Sequence, residues 1–379
     1  MEKAERSSNL ELLKIVAMFC ICLSHVVNPL LPGSGFFSNF SYDPLALLFS
    51  FVKNLGWVGD YIFIICSAYF LAGSKKFKWR KMILYYVEIA LLFMLYYAVA
   101  AIFKLGTTEG LTLMVFTTGI IFDYWFIYSY IIFIAFVPLL TWICNKLPQK
   151  VHKIITYCTL LVLAILCVLS WFGHGGTLVG ASIFACAFFI MDYGKKYGEF
   201  LWMKEDDKKT SLITILVCVL AYFFFTWVVN VISIYHPFFI ENERETMDIY
   251  FPTHIMFGIA VFLLVKNMKI KHSNVINYIS SLSLIFYIAH HNKLISPVFQ
   301  RWLSKSFAAQ TNPFMCILVF LCFGLFRFIF GLAVAAVYHE TVHRGLNALV
   351  SIGEKKQPKP KTIKKLNKNN LAKINNQLD

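Results

Sequence analysis

Ten stretches of predominantly apolar residues, each close to the length that carries a helix across a bilayer, divide this chain. They fall at about 12–31, 45–71, 82–103, 124–144, 154–172, 177–194, 210–234, 250–266, 278–296 and 313–338. In lipid every backbone polar group must be satisfied inside the protein, so runs of this length restrict the chain to helices. Composition agrees: 59% of the residues are hydrophobic and only 15% charged. Too little polar surface remains to cover a water-soluble globule of 379 residues. The expected fold class is therefore all-α, a polytopic transmembrane helix bundle of about ten spans.

The cations set the orientation. If the first run starts inside, 28 of the 35 Lys and Arg fall in inner segments or the tail, and 6 fall outside. Arg327 lies within the last run. Positive charge is retained on the cytoplasmic side, so both termini are expected there. Residues 1–350 then form one membrane domain. Residues 351–379 are Lys- and Asn-rich and are expected to be a disordered cytoplasmic tail near anionic lipid heads. The first run is too long for the apolar part of a cleavable signal and reads as a span. No basic stripe with interleaved aromatics lies on a soluble face, so nucleic acid is excluded as a partner.

Nine of the ten cysteines lie inside apolar runs and Cys144 ends one, with no C-x-x-C and no paired Cys/His spacing. They read as small apolar helix residues, and no metal is expected. Walker, dinucleotide and nucleophile-elbow motifs are also absent from the sequence.

Ionisable residues inside spans are costly, which makes each one a candidate for function. Lys14 and His25 are eleven residues apart, so on a helix they face the same way, about 16 Å apart along the axis. One face of the first span thus carries a cation near the cytoplasm and an imidazole deeper. Glu11, one turn before Lys14, is a possible ion-pair partner, and a paired interfacial lysine is the bland reading. His25 has its own bland reading, a hydrogen bond between helices. The second run holds Gly56, Gly59, Asp60, Ser67 and Ala68; its small residues suit close helix approach. Lys75, Lys76, Lys78, Arg80 and Lys81 crowd the following loop, where they enforce topology or bind phosphate. Glu88 sits two turns into the third run and invites a cationic partner. Trp125 opens the fourth, and His290 ends the segment Tyr287-Ile288-Ala289-His290 in the ninth.

In their order and spacing these segments resemble the acyltransferase 3 family of membrane-bound O-acyltransferases. The family carries an arginine, ten residues and a histidine in its first span; here Lys14 and His25 hold that spacing, with lysine for arginine. Gly59, Phe63, Ser67, Tyr69 and Leu71 match its second-span pattern, and Lys78-Trp79-Arg80 is similar to its [RK]-x-R. Trp125-Phe126-Ile127-Tyr128 and Tyr287-Ile288-Ala289-His290 resemble its later motifs.

The resemblance implies transfer of an acyl group, most often acetyl, from cytoplasmic acetyl-CoA or another acyl-CoA, with no bound cofactor. The implied acceptor is a hydroxyl of a cell-surface or exported polysaccharide, or of a lipid-linked glycan precursor, at the cytoplasmic membrane. His25 would be the general base, with Lys14 beside it, and Lys14, Lys78 and Arg80 would bind the donor. Glu88, Asp60, Ser67, Trp125 and His290 are further candidates. The alternative is a transporter or flippase for a glycan or lipid-linked intermediate. It lacks support from any internal repeat.

Overall fold

The computed structural model describes residues 7–27, 44–102, 124–171, 177–235, 252–290, 296–308 and 312–348. The predicted tail, 351–379, lies outside the described residues. Twelve α-helices are described: α1 (Ser8–Val27), α2 (Pro44–Leu71), α3 (Trp79–Ile102), α4 (Trp125–Lys146), α5 (Gln149–Trp171), α6 (Thr177–Tyr197), α7 (Lys208–Tyr235), α8 (Pro252–Lys266), α9 (Asn274–Ser281), α10 (Ser283–His290), α11 (Ser296–Ala308) and α12 (Pro313–Tyr338). The π-helical turn His339–His343 continues α12. The β-structure among the described residues is one two-residue antiparallel pair, Glu199–Phe200 with Met203–Lys204.

Eight of these helices are long and apolar enough to cross a bilayer: α1 to α7 and α12 with its continuation. The other two expected runs take different forms. α8 has 15 residues, about 22 Å of helix, short of the roughly 30 Å hydrocarbon core. The ninth run is divided at Leu282 into two helices of eight residues each, α9 and α10. Its sequence there is Ser280-Ser281-Leu282-Ser283. Serines offer the backbone competing hydrogen bonds, and broken helix at membrane depth is tolerated where it lines a cavity. Ser280, Ser281 and Ser283 do line one, described below.

Outer faces are apolar, as lipid contact requires. Leu212, Leu216, Leu220 and Phe224 make an exposed stripe at four-residue spacing on α7. The interior is built around α1, which packs against α2, α8, α9, α10 and α12. The α1–α2 contact depends on glycine. A Cβ on Gly59 would come within 2.8 Å of the Ala17 carbonyl oxygen and 2.9 Å of Ile21. Because the first of these is backbone, it cannot rotate away. Gly59→Val is expected to cost about 1–3 kcal/mol and to lower the thermal midpoint in detergent. An unchanged midpoint would remove glycine from the packing argument.

The basic residues next to the spans also cap helices. Lys195 donates to the carbonyls of Tyr69 and Ala72 at the end of α2, both at 3.2 Å. Lys196 donates to the Cys144 carbonyl near the end of α4. The Asn9 amide donates to the carbonyls of Val265, Lys266 and Met268, at 3.0, 2.8 and 3.2 Å. A cation or amide at a helix C-terminus satisfies carbonyls that have no partner in the helix. These contacts gather the start of α1 and the ends of α2, α4, α6 and α8 at one end of the bundle.

Candidate functional site

The candidate site is a cavity of about 910 Å³ lined by α1, α2, α3, α4, α9, α10 and the turn after α12. It lies within the range usual for small-molecule sites. Ser7 and Asn347, near opposite ends of the described chain, both line it.

Cations crowd its mouth. Lys78, Arg80 and Lys81 line it where α3 begins. Arg80 lies 5.2 Å over the Trp79 ring, and Lys81 lies 5.2 Å over Tyr85. Burial lowers the proton affinity of Lys78, and the like charges of Lys81 and Lys76 lower it further. An anion at this mouth would relieve that repulsion. His339 and His343 also line it. His343 is hydrogen-bonded through Nδ1 to Glu88, which is fully buried on α3. Glu88 therefore finds a partner in an imidazole supplied from some 250 residues later in the chain.

Along the wall, the Lys14 ammonium donates to both oxygens of Glu11 at 3.1 Å. It also lies 5.6 Å over the Phe70 ring. Glu11 accepts a further hydrogen bond from Ser280, at the break between α9 and α10. The predicted one-turn pair is present, and its cation faces the cavity rather than only the headgroups. Asp60 and Ser67 share a face of α2 and both reach the cavity. Asp60 Oδ1 is buried with no hydrogen-bond partner.

At its far end the cavity meets His290. His290 Nδ1 lies 2.9 Å from the Phe286 carbonyl oxygen, one turn back on α10. A carbonyl only accepts, so Nδ1 carries hydrogen and, in the neutral ring, Nε2 is the acceptor. That acceptor lies 3.0 Å from His25 Nδ1. His25 Nδ1 therefore donates, and His25 Nε2 holds the lone pair. The two rings stack, with centroids 5.0 Å apart and planes 19° apart. His25 is not part of the large cavity's wall. It stands one ring behind it and lines a void of about 10 Å³ with Phe299, Gln300, Leu303, Phe323 and Arg327. That void is about the size of one water.

Arg327, from α12, joins the two histidine-bearing helices. Its Nη2 donates to the His290 carbonyl at 2.8 Å, and its Nη1 to the His25 carbonyl at 3.3 Å. Both carbonyls lie in last turns, where a cation is favoured. Sequence reasoning placed Arg327 in the last span without a role; an arginine in the middle of an apolar run was the available signal.

Trp125 does not line the cavity. It packs 6.0 Å from Trp57 and against Phe126, ring to ring, so it positions its neighbours Phe126 and Ile127, which do line the wall. The structure thus brings Lys14, Lys78, Arg80, Asp60, Ser67 and His290 around one space, with His25 behind His290 and Glu88 behind His343.

A family model described as an acyltransferase domain matches residues 7–337, most of the chain. Neither a curated protein nor a solved structure matches it.

Proposed function

The chain belongs to the acyltransferase 3 family, and from that premise we infer that it moves an acetyl group from cytoplasmic acetyl-CoA to a glycan hydroxyl. The acceptor in this reading is a cell-surface or exported polysaccharide, or its lipid-linked precursor, at the cytoplasmic membrane. The observation that carries the inference is one cavity joining a cationic mouth to a histidine pair.

Lys78 and Arg80 at the mouth suit the phosphates of coenzyme A, since ammonium and guanidinium groups match phosphate oxygens. Lys14, steadied by Glu11, offers a further cation along the path of the pantetheine arm. The thioester carbonyl then lies beside His290. A hydroxyl is a poor nucleophile until its proton leaves. In this reading the acceptor hydroxyl enters from the side of the small void, where His25 Nε2 takes its proton as the hydroxyl oxygen attacks the carbonyl carbon. The new C–O bond forms, the C–S bond breaks, and coenzyme A leaves as thiolate to be protonated from water. The positive charge that develops on His25 is shared with His290 through the Nδ1–H···Nε2 bond.

The test is purified protein with labelled acetyl-CoA and the host's isolated polysaccharide. Alkali-labile label on the polymer supports the reading. Movement of polymer across vesicles without acetyl-CoA consumption overturns it in favour of a transporter. The mouth has its own expected result. Removing two half-exposed phosphate partners costs about 1.4 kcal/mol in total, or tenfold. Lys78→Gln with Arg80→Gln should therefore raise KM for acetyl-CoA about tenfold at unchanged kcat. Equal KM values would place the phosphates elsewhere.

A further inference from the structure

At the basic end of the bundle, outside the lining of the cavity, three metal-ligating side chains from three helices meet in the interior. Cys144 lies in the last turn of α4, His152 in the first turn of α5 and Asp192 near the end of α6. All three are buried, at 2%, 0% and 2% exposure. One ligand atom from each lies within 4.8 Å of the others. None of them lines the large cavity, so the acyl-transfer machinery leaves this cluster unexplained.

The arrangement around the imidazole is the informative part. His152 Nε2 lies 3.2 Å from the Phe189 carbonyl oxygen. That carbonyl can only accept, so Nε2 carries the hydrogen and Nδ1 the lone pair. His152 Nδ1 is buried and has no hydrogen-bond partner. A buried acceptor left unmatched costs about 1–3 kcal/mol. A histidine whose one nitrogen is tied to a backbone carbonyl while the other presents a lone pair has the outer-sphere arrangement of a metal ligand. Thr141, one turn before Cys144 on the same helix face, adds a second buried polar atom, its hydroxyl oxygen, without a hydrogen-bond partner. Lys196 pairs with the Asp192 carboxylate at 2.6 Å, beside the thiol and the ring.

We propose that Cys144, His152 and Asp192 form a structural zinc site that ties α4, α5 and α6 together at this end of the bundle. A thiolate, an imidazole and a carboxylate are the donor types zinc takes. Neighbouring ligands on a tetrahedral zinc ion are roughly 3.5 Å apart, so closing the present spacing needs a contraction of about 1 Å. Binding replaces the thiol proton: the Cys144 S–H bond breaks, sulfur keeps the electron pair and binds zinc, and the proton passes to water. No C-x-x-C or paired spacing announces the site, because its ligands come from three separate helices.

The test uses full-length, tag-free protein in detergent, purified without chelators, then stripped and reloaded with cobalt(II). The expected result is about one zinc per chain as purified, and a thiolate-to-cobalt charge-transfer band after reloading. Cys144→Ser should remove the band and most of the zinc, while Cys158→Ser, at an exposed cysteine, should keep both. If Cys144→Ser does not fold, the wild-type spectrum decides alone. Wild-type protein with neither zinc nor the cobalt band overturns the proposal. So does a band that survives in folded Cys144→Ser.

Discussion

His25→Ala is expected to lower kcat for the proposed acetyl transfer by roughly 10²–10⁴-fold, the usual contribution of a positioned general base. KM for acetyl-CoA should stay within about twofold, because His25 does not touch the large cavity. His290→Ala is expected to be nearly as damaging for a different reason. It removes the acceptor at 3.0 Å that keeps the hydrogen of His25 on Nδ1, and it lengthens the cavity past the point where a thioester would stop. The double substitution should cost little more than either alone, since the two rings act as one proton-handling unit. Single-turnover measurements in membranes, normalised to folded protein, separate these outcomes. Near wild-type turnover in His25→Ala would falsify the base assignment, and additive losses would show that the two rings act independently.

Which of these features were legible beforehand follows from the range of each signal. Local signals carried far. The eleven-residue spacing put Lys14 and His25 on one helix face, and Glu11 was a one-turn neighbour of Lys14, as found at 3.1 Å. The small residues of the second run foretold the close α1–α2 approach at Gly59. Long-range pairing left no such trace. His25 and His290 are 265 positions apart, and only the packing of α10 onto α1 sets His290 between His25 and the cavity. Glu88 clearly needed a partner, but nothing in the sequence pointed to His343. Runs of apolar residues also hide breaks. The ninth run reads as one span across Ser280–Ser283, while those serines ended one helix and let another begin at the cavity wall.

Arg327 is where the unread part of the sequence should matter most. Arg327→Met keeps the length and the apolar stem but removes both main-chain contacts, to the carbonyls of His25 and His290. Each histidine sits in the last turn of its helix, so its backbone is anchored from one side only by the helix itself. With the guanidinium gone, the two helix ends are free to separate. A misplacement of about 1 Å can cost about 10²-fold in rate. We therefore expect kcat to fall by about 10²-fold while KM for acetyl-CoA is unchanged, because the cationic mouth is built on other elements. One buried and one partly buried carbonyl also lose their donors, so the thermal midpoint should drop by an amount equivalent to about 1–3 kcal/mol for the buried partner and less for the other. Arg327→Lys distinguishes positioning from general stability. An ammonium keeps the charge at the helix ends but cannot bridge two carbonyls with a planar fork. It should recover most of the thermal midpoint and only part of kcat. If the lysine variant restores both in full, Arg327 supplies charge alone, and the alignment of the histidine pair rests on the packing of α1 against α10.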